Sequence, residues 1–211
     1  MQDLLTALYE YVENHSTEPD PLLIHIGRET HLKTLAPRML SGHLQGNILS
    51  ILSMILRPNN ILEIGTFTGY SAICLAKGLS QTGTLTTIEF DREIAEIAYQ
   101  HFNTSPYSDK VILKIGDAKE IIPTLDQVFD LVFIDADKES YSQYYDLIFD
   151  KCRAGAIIIV DNVLWSGKVL DTEMDKKTQS IDAFNKKITS DNRVFQVILP
   201  VRDGLNLIVK K

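Results

Sequence analysis

The chain has 211 residues, enough for one α/β domain with a full core and too few for two ordinary ones. Its 45% hydrophobic and 23% charged residues describe a soluble globular protein, and no apolar stretch is expected to reach membrane-spanning length. A formal net charge of −7 argues against strong non-specific binding to nucleic acid or acidic membranes.

The opening Met1-Gln2-Asp3-Leu4-Leu5 carries an acid where an export signal carries base, so a cytoplasmic location is expected. Cys74 and Cys152 make neither a disulfide framework nor a zinc motif, which agrees with a reducing compartment.

In chain order, Asp3 to Asn14 places Leu4, Leu5, Leu8, Tyr11 and Val12 at helical spacing. Glu18-Pro19-Asp20-Pro21 breaks that helix. A second helix is expected from Pro21 to Ala36 and a third from Gly46 to Leu56. Arg57-Pro58-Asn59-Asn60 then turns the chain into an apolar strand, Ile61 to Ile64. Strands follow at 84–89, 111–115, 129–135 and 155–161, alternating with helices at 91–102, 140–152 and 178–189. The strands are nearly continuous Ile, Leu and Val, the pattern of a parallel sheet covered on both faces. The last two apolar runs, 194–199 and 205–209, are joined by only Pro200-Val201-Arg202-Asp203-Gly204. That linker is too short for a parallel crossover, so an antiparallel hairpin is expected. The fold class is therefore α/β: a seven-stranded, mostly parallel sheet with a C-terminal antiparallel hairpin and helices on both faces. Neither a repeat nor a linker divides it. A single domain is expected, with residues 1–58 as a helical cap and 59–211 as the α/β core.

The sheet opens onto a loop, Glu63-Ile64-Gly65-Thr66-Phe67-Thr68-Gly69-Tyr70-Ser71-Ala72, between the first strand and a helix. Ligands bind at such turns in open α/β sheets. A dinucleotide fingerprint wants glycine where Phe67 and Tyr70 stand, and no Gly-Lys-Ser/Thr follows for a P-loop. A nucleoside ligand without phosphates fits, and S-adenosylmethionine, with its amine, carboxylate and ribose, is such a ligand. Gly65, Thr66, Phe67, Tyr70 and Ser71 are assigned to its site, with Glu63 facing the loop.

The strand ends carry acids. Glu89 ends the second strand, where a carboxylate accepts from ribose hydroxyls. Asp117, in Gly116-Asp117-Ala118, could accept from an adenine amino group, cap the following helix, or do both. Asp135 ends the fourth strand and Asp161-Asn162 the fifth. On neighbouring strands they would converge, and two such carboxylates repel unless one is protonated or a cation lies between them. Two carboxylates and an amide oxygen suit Mg²⁺, with Mn²⁺ or Ca²⁺ as substitutes; helix capping is the alternative use.

Together the Glu63–Ala72 loop, Gly116-Asp117-Ala118, Asp135-Ala136-Asp137-Lys138, Asp161-Asn162 with Leu164-Trp165-x-Gly167, and Arg202-Asp203-Gly204-Leu205 resemble the cation-dependent class I O-methyltransferases. These are the caffeoyl-CoA and catechol O-methyltransferase group, and the resemblance covers about residues 30 to 211. It implies a Rossmann-like methyltransferase fold. It also implies cofactor contacts from Glu63, Gly65, Ser71, Glu89, Ala118 and Asp135, and from Met39 and Ser41 in the preceding loop. Asp135, Asp161 and Asn162 would hold the cation, and Lys138 would be the general base. The expected acceptor is a small vicinal diphenol. The longer N-terminus and recognition insertion of the plant enzymes have only a shorter counterpart here, which argues against a CoA ester. A homodimer is expected from the same resemblance.

Three uses remain distinct at this point: methyl transfer to a catechol-like compound, methyl transfer to a 5-hydroxyuridine of tRNA, and a silent cofactor-binding domain. The intact Asp135, Lys138, Asp161 and Asn162 set opposes the last. Only Lys176-Lys177 and Lys186-Lys187 offer a basic face for RNA. Trp165 could wall a flat substrate or plug the core, and His43 could line the pocket beside Ser41. Tyr141, Tyr144 and Tyr145 are expected to pack their helix on the sheet.

Overall fold

The computed structural model describes residues 2–211. Met1 lies outside the described residues, as do the side chains of Gln2, Asp3 and Leu5, so the reading of the opening residues as lacking an export signal rests partly outside them.

The apolar runs form seven strands: β1 (Asn60–Ile64), β2 (Thr84–Glu89), β3 (Val111–Ile115), β4 (Phe129–Ile134), β5 (Cys152–Asp161), β6 (Val194–Leu199) and β7 (Leu205–Lys210). They make one sheet in the order β3-β2-β1-β4-β5-β7-β6. Strands β1 to β5 pair in parallel. The closing hairpin enters with its second strand first: β7 lies antiparallel to both β5 and β6. Six strands therefore run one way and β7 alone runs the other. The strand order reverses between β1 and β4, so the crevice for a ligand opens at their carboxyl ends.

The helices are α1 (Gln2–Asn14), α2 (Pro21–Lys33), α3 (Gly42–Leu56), α4 (Tyr70–Ala76), α5 (Arg92–Asn103), α6 (Ala118–Ile121), α7 (Tyr141–Phe149) and α8 (Lys176–Ser190). Each strand sends alternate residues to opposite faces. Ile61, Leu131, Phe133 and Ile159 pack with Leu49 of α3 and Ile73 and Leu75 of α4. Leu62, Val132, Ile134, Ile158 and Val160 pack with Tyr141, Tyr145 and Ile148 of α7 and Phe184 and Ile188 of α8. Each such fully buried side chain contributes roughly 1.5–3 kcal/mol. Both faces are covered, as the unbroken apolar runs require.

Several boundaries differ from the sequence expectation. Helix α2 ends at Lys33 rather than Ala36, because Thr34 already turns to extended backbone (φ −121°, ψ 152°), and Ala36 before Pro37 is non-helical as well (φ −132°). Helix α3 starts at Gly42, four residues before the expected Gly46. Cys152, expected at a helix end, is the first residue of β5 and pairs with Phe129. The membrane expectation also needs correction, since residues Pro37–Leu56 are long and apolar enough to span a bilayer. That segment is nevertheless committed to packing: Gln45, Ser50 and Ser53 are buried, and Ser53 Oγ donates to the Leu75 carbonyl at 2.6 Å. Helix α1, by contrast, leaves Leu4, Leu8, Tyr11 and Val12 exposed.

Candidate active site

The glycine loop is fixed where β1, β2 and β4 meet. Asp135 N donates to Ile64 O at 2.9 Å, and Gly65 N to Ile88 O at 3.0 Å. Gly65 takes φ +98°, and Phe67 also adopts the left-handed region (φ 48°). The Phe67 N–H donates to Glu89 Oε2 at 2.7 Å and the Asp91 N–H to Oε1 at 2.9 Å. Glu89 therefore holds the loop itself, and burial raises its carboxyl above the usual range. Each of its oxygens keeps an acceptor site for a ligand hydroxyl. The loop tip is anchored from behind: the Thr68 and Thr30 hydroxyls meet at 2.7 Å, and His101 Nδ1 bonds the Thr68 carbonyl at 2.9 Å.

Glu63 is completely buried at the end of β1. Thr87 donates to its Oε2 at 2.5 Å, and the Thr66 hydroxyl bonds Thr87 in turn at 2.5 Å. Among the described residues its Oε1 forms no hydrogen bond of good geometry, although the Ser71 hydroxyl is close enough to act on the carboxyl. Burial pushes the carboxyl up to about 8, with the hydroxyls of Ser71 and Thr87 offsetting part of that. A buried carboxylate oxygen with no formed hydrogen bond, at the head of the loop that opens the crevice, fits a ligand carrying an amine or hydroxyl.

Across the crevice, Ile134 pairs with Val160, so Asp135 and Asp161 follow at the same level on adjacent strands. Asp161 is 3% exposed. Its Oδ2 accepts from Gln45 Nε2 at 2.6 Å, its Oδ1 from the Asn162 N–H at 2.6 Å, and its carbonyl from Tyr141 Oη at 2.8 Å. Burial, and then the Asp135 charge, push its carboxyl up to about 7. Lys138 Nζ donates to Asp135 Oδ1 at 2.7 Å and stands 5.1 Å from the centre of the Tyr141 ring. The plain surface alternative for Lys138, pairing with Asp137 or Glu139, is not what forms. Asp137 accepts from Ser140 Oγ, and Glu139 pairs with Lys176.

Among the described residues no three His, Cys, Asp or Glu side chains form a metal-type cluster. A cation at this edge would take the two carboxylates with the amide oxygen of Asn162, whose backbone is left-handed (φ 58°). That all-oxygen set fits a hard divalent ion, which would relieve the burial of Asp161 and its repulsion by the Asp135 charge.

The remaining assigned residues divide. Ser71 and Ala118 are buried beside the strand ends, and Ser41 is buried at the start of α3 with its hydroxyl not used as a cap. Met39 is exposed in the short turn before it. Asp117 caps α6, accepting from the Lys119 N–H at 2.8 Å, which is the capping use foreseen beside the adenine one. The Tyr70 ring lies in the core: a Cβ on Gly46 of α3 would come within 2.8 Å of it. His43 does not turn toward Ser41's pocket; its Nε2 bonds the Thr17 carbonyl at 2.6 Å. Trp165, Ser166 and Gly167 are all left-handed, and among the described residues the buried Trp165 Nε1 has no partner. The three tyrosines of α7 are buried as expected. Sequence reasoning missed Gln45, Thr87 and Thr68. Two are single residues without a motif, and Thr68 stands inside the loop as one more polar residue.

The O-methyltransferase family model matches residues 13–211, beginning earlier than the resemblance drawn from motifs alone. The chain belongs to the O-methyltransferase family. Enzymes of this family take the methyl group from S-adenosylmethionine, and this chain is an S-adenosylmethionine-dependent O-methyltransferase. It is 34% identical over 177 residues to a catechol O-methyltransferase of Niastella koreensis, covering 79% of this chain and 80% of that one. It is 32% identical to caffeoyl-CoA O-methyltransferase 1 of Nicotiana tabacum, covering 95% of this chain and 90% of that one. The solved O-methyltransferase from Bacillus cereus in complex with SAH superposes with a TM-score of 0.92 at 32% identity, covering both chains completely.

Proposed function

We propose that this O-methyltransferase methylates one hydroxyl of a small catechol-like acceptor held beside a divalent cation, most simply Mg²⁺. The observation that carries this is the placement of Asp135 and Asp161 at one level on adjacent strands, both beside Lys138. A divalent cation held by Asp135, Asp161 and Asn162 would supply Lewis-acid polarisation, lowering the pKa of both acceptor hydroxyls.

The protein's own part is positioning. Glu63 Oε1 and Glu89 offer acceptors to the donor's amine and ribose, and Met39 and Ser41 approach from the cap. Asp135 stands between the glycine loop and the acid pair, tied to β1 through its N–H. Lys138 is the group placed to take the acceptor's proton. Trp165, three residues beyond Asn162, would in this reading stack on a flat ring.

The tRNA 5-hydroxyuridine reading needs a basic face beside the site. Lys176, Lys186 and Lys187 are instead paired with Glu139, Asp182 and Asp146, which favours the small acceptor. A homodimer through the exposed apolar face of α1 and a cytoplasmic location, consistent with two free buried cysteines, complete the proposal. The test is methyl transfer from S-adenosylmethionine to vicinal diphenols, matched monophenols and tRNA carrying 5-hydroxyuridine. Methylation of the diphenols alone supports the reading. Turnover of tRNA with none on any diphenol overturns it.

A further inference from the structure

We infer that Gln45 is the positioning residue for Asp161, and that Arg202 sets which way round its amide stands. Gln45 is fully buried on α3, 116 positions away from Asp161 in the chain. Its Nε2 donates to Asp161 Oδ2 at 2.6 Å, while its Oε1 faces Arg202 Nη1 at 3.4 Å. The same Nη1 donates to the Leu40 carbonyl at 3.0 Å, between Met39 and Ser41.

The two ends of an amide are nearly equal in size, so packing alone leaves its orientation open. A guanidinium only donates, so the Gln45 oxygen must face Arg202 and its NH₂ must face the carboxylate. Donation to Oδ2 fixes the rotation of the carboxylate that would hold a cation. With the Asn162 N–H on Oδ1 and Tyr141 on the carbonyl, Asp161 is held from three directions. Each carboxylate oxygen spends one acceptor site on this and keeps another. Such outer partners orient ligands, and their loss lowers metal affinity by about 10–100-fold.

This inference rests on the reading that Asp161 is a cation ligand. Its test is direct Mn²⁺ binding, followed by electron paramagnetic resonance of the free ion, on the full chain without donor or acceptor. Wild type is compared with Gln45→Met, which keeps length and loses the donor, with Arg202→Ala, an exposed position, and with Asp161→Asn. The expected result is about tenfold or greater weakening in Gln45→Met and a smaller weakening in Arg202→Ala. Metal-free affinity of Gln45→Met for S-adenosylhomocysteine stays as in wild type, and its activity recovers as Mn²⁺ is raised. If wild type binds Mn²⁺, Asp161→Asn does not, and both other variants match wild type, the inference is overturned alone. If wild type binds no Mn²⁺, the cation reading falls with it. Should Gln45→Met fail to fold, Arg202→Ala decides, and wild-type affinity there overturns the inference.

Discussion

A Cβ built on Gly65 would lie 1.9 Å from the carbonyl oxygen of Asp135, so the donor loop and the acid edge touch through main chain alone. This contact joins the end of β1 to the end of β4, where the strand order reverses. With φ at +98°, the position has no room and no conformation for a side chain. Gly65→Ala is expected to lose on the order of 3–5 kcal/mol of stability and most of its affinity for S-adenosylhomocysteine. Chemical denaturation and calorimetry check both, and near-wild-type values would show that the loop moves freely from β4.

Glu63 makes stability depend on pH. Its carboxyl is raised from 4.5 to about 8 in the folded chain by burial. Below about 4.5 both states are protonated and nothing is lost. Between 4.5 and 8 the unfolded chain ionises first, so folding stability falls as pH rises, on the order of a few kcal/mol in total. Glu63→Gln imitates the protonated acid and should remove that slope. Urea unfolding of the two proteins from pH 5 to pH 8 should diverge in favour of the variant; parallel curves would contradict the assignment.

Glu89 holds the Phe67 N–H, and in the proposed reading it also faces the donor's ribose. Glu89→Gln keeps the shape but weakens both charge-assisted bonds, which are worth roughly 1.5–3 kcal/mol each. Affinity for S-adenosylhomocysteine should fall by about 10–100-fold with little change in thermal midpoint. Unchanged affinity would move the ribose elsewhere.

Most of this architecture was legible because its signals are local. Strands β1, β4 and β5 carry mostly apolar runs, such as Leu131-Val132-Phe133-Ile134 and Ile157-Ile158-Ile159-Val160, that a sheet covered on both faces buries. Their terminal acids were visible for the same reason, since a charge closing such a run must stand at the open edge. The start of α3 was not legible: Ser41 is already helical and makes no capping bond, so the usual N-terminal signature is missing. Gln45 was invisible for a different cause. A single amide within an apolar helix carries no pattern, and its partners Asp161 and Arg202 come from distant segments that only the folded sheet brings together. Tyr70, assigned to the donor site from its place in the loop, also has a packing use that the loop pattern does not reveal, since its ring lies between α3 and α4.

Lys138 carries the proton-transfer claim. Lys138→Ala should reduce kcat by about 10²–10⁴-fold with a smaller effect on donor affinity, and should abolish the rising limb of the pH–rate profile. Rates measured from pH 6 to pH 10 decide this. Wild-type turnover throughout would leave Lys138 only its ion pair with Asp135.

The central claim is that Asp135, Asp161 and Asn162 hold a divalent ion that orients the acceptor. Its most direct measurement is methyl transfer to a vicinal diphenol by protein stripped with EDTA, then titrated with Mg²⁺. The account predicts activity near background after stripping, saturable recovery with added Mg²⁺, and no recovery in Asp161→Asn. Full activity in EDTA would contradict it.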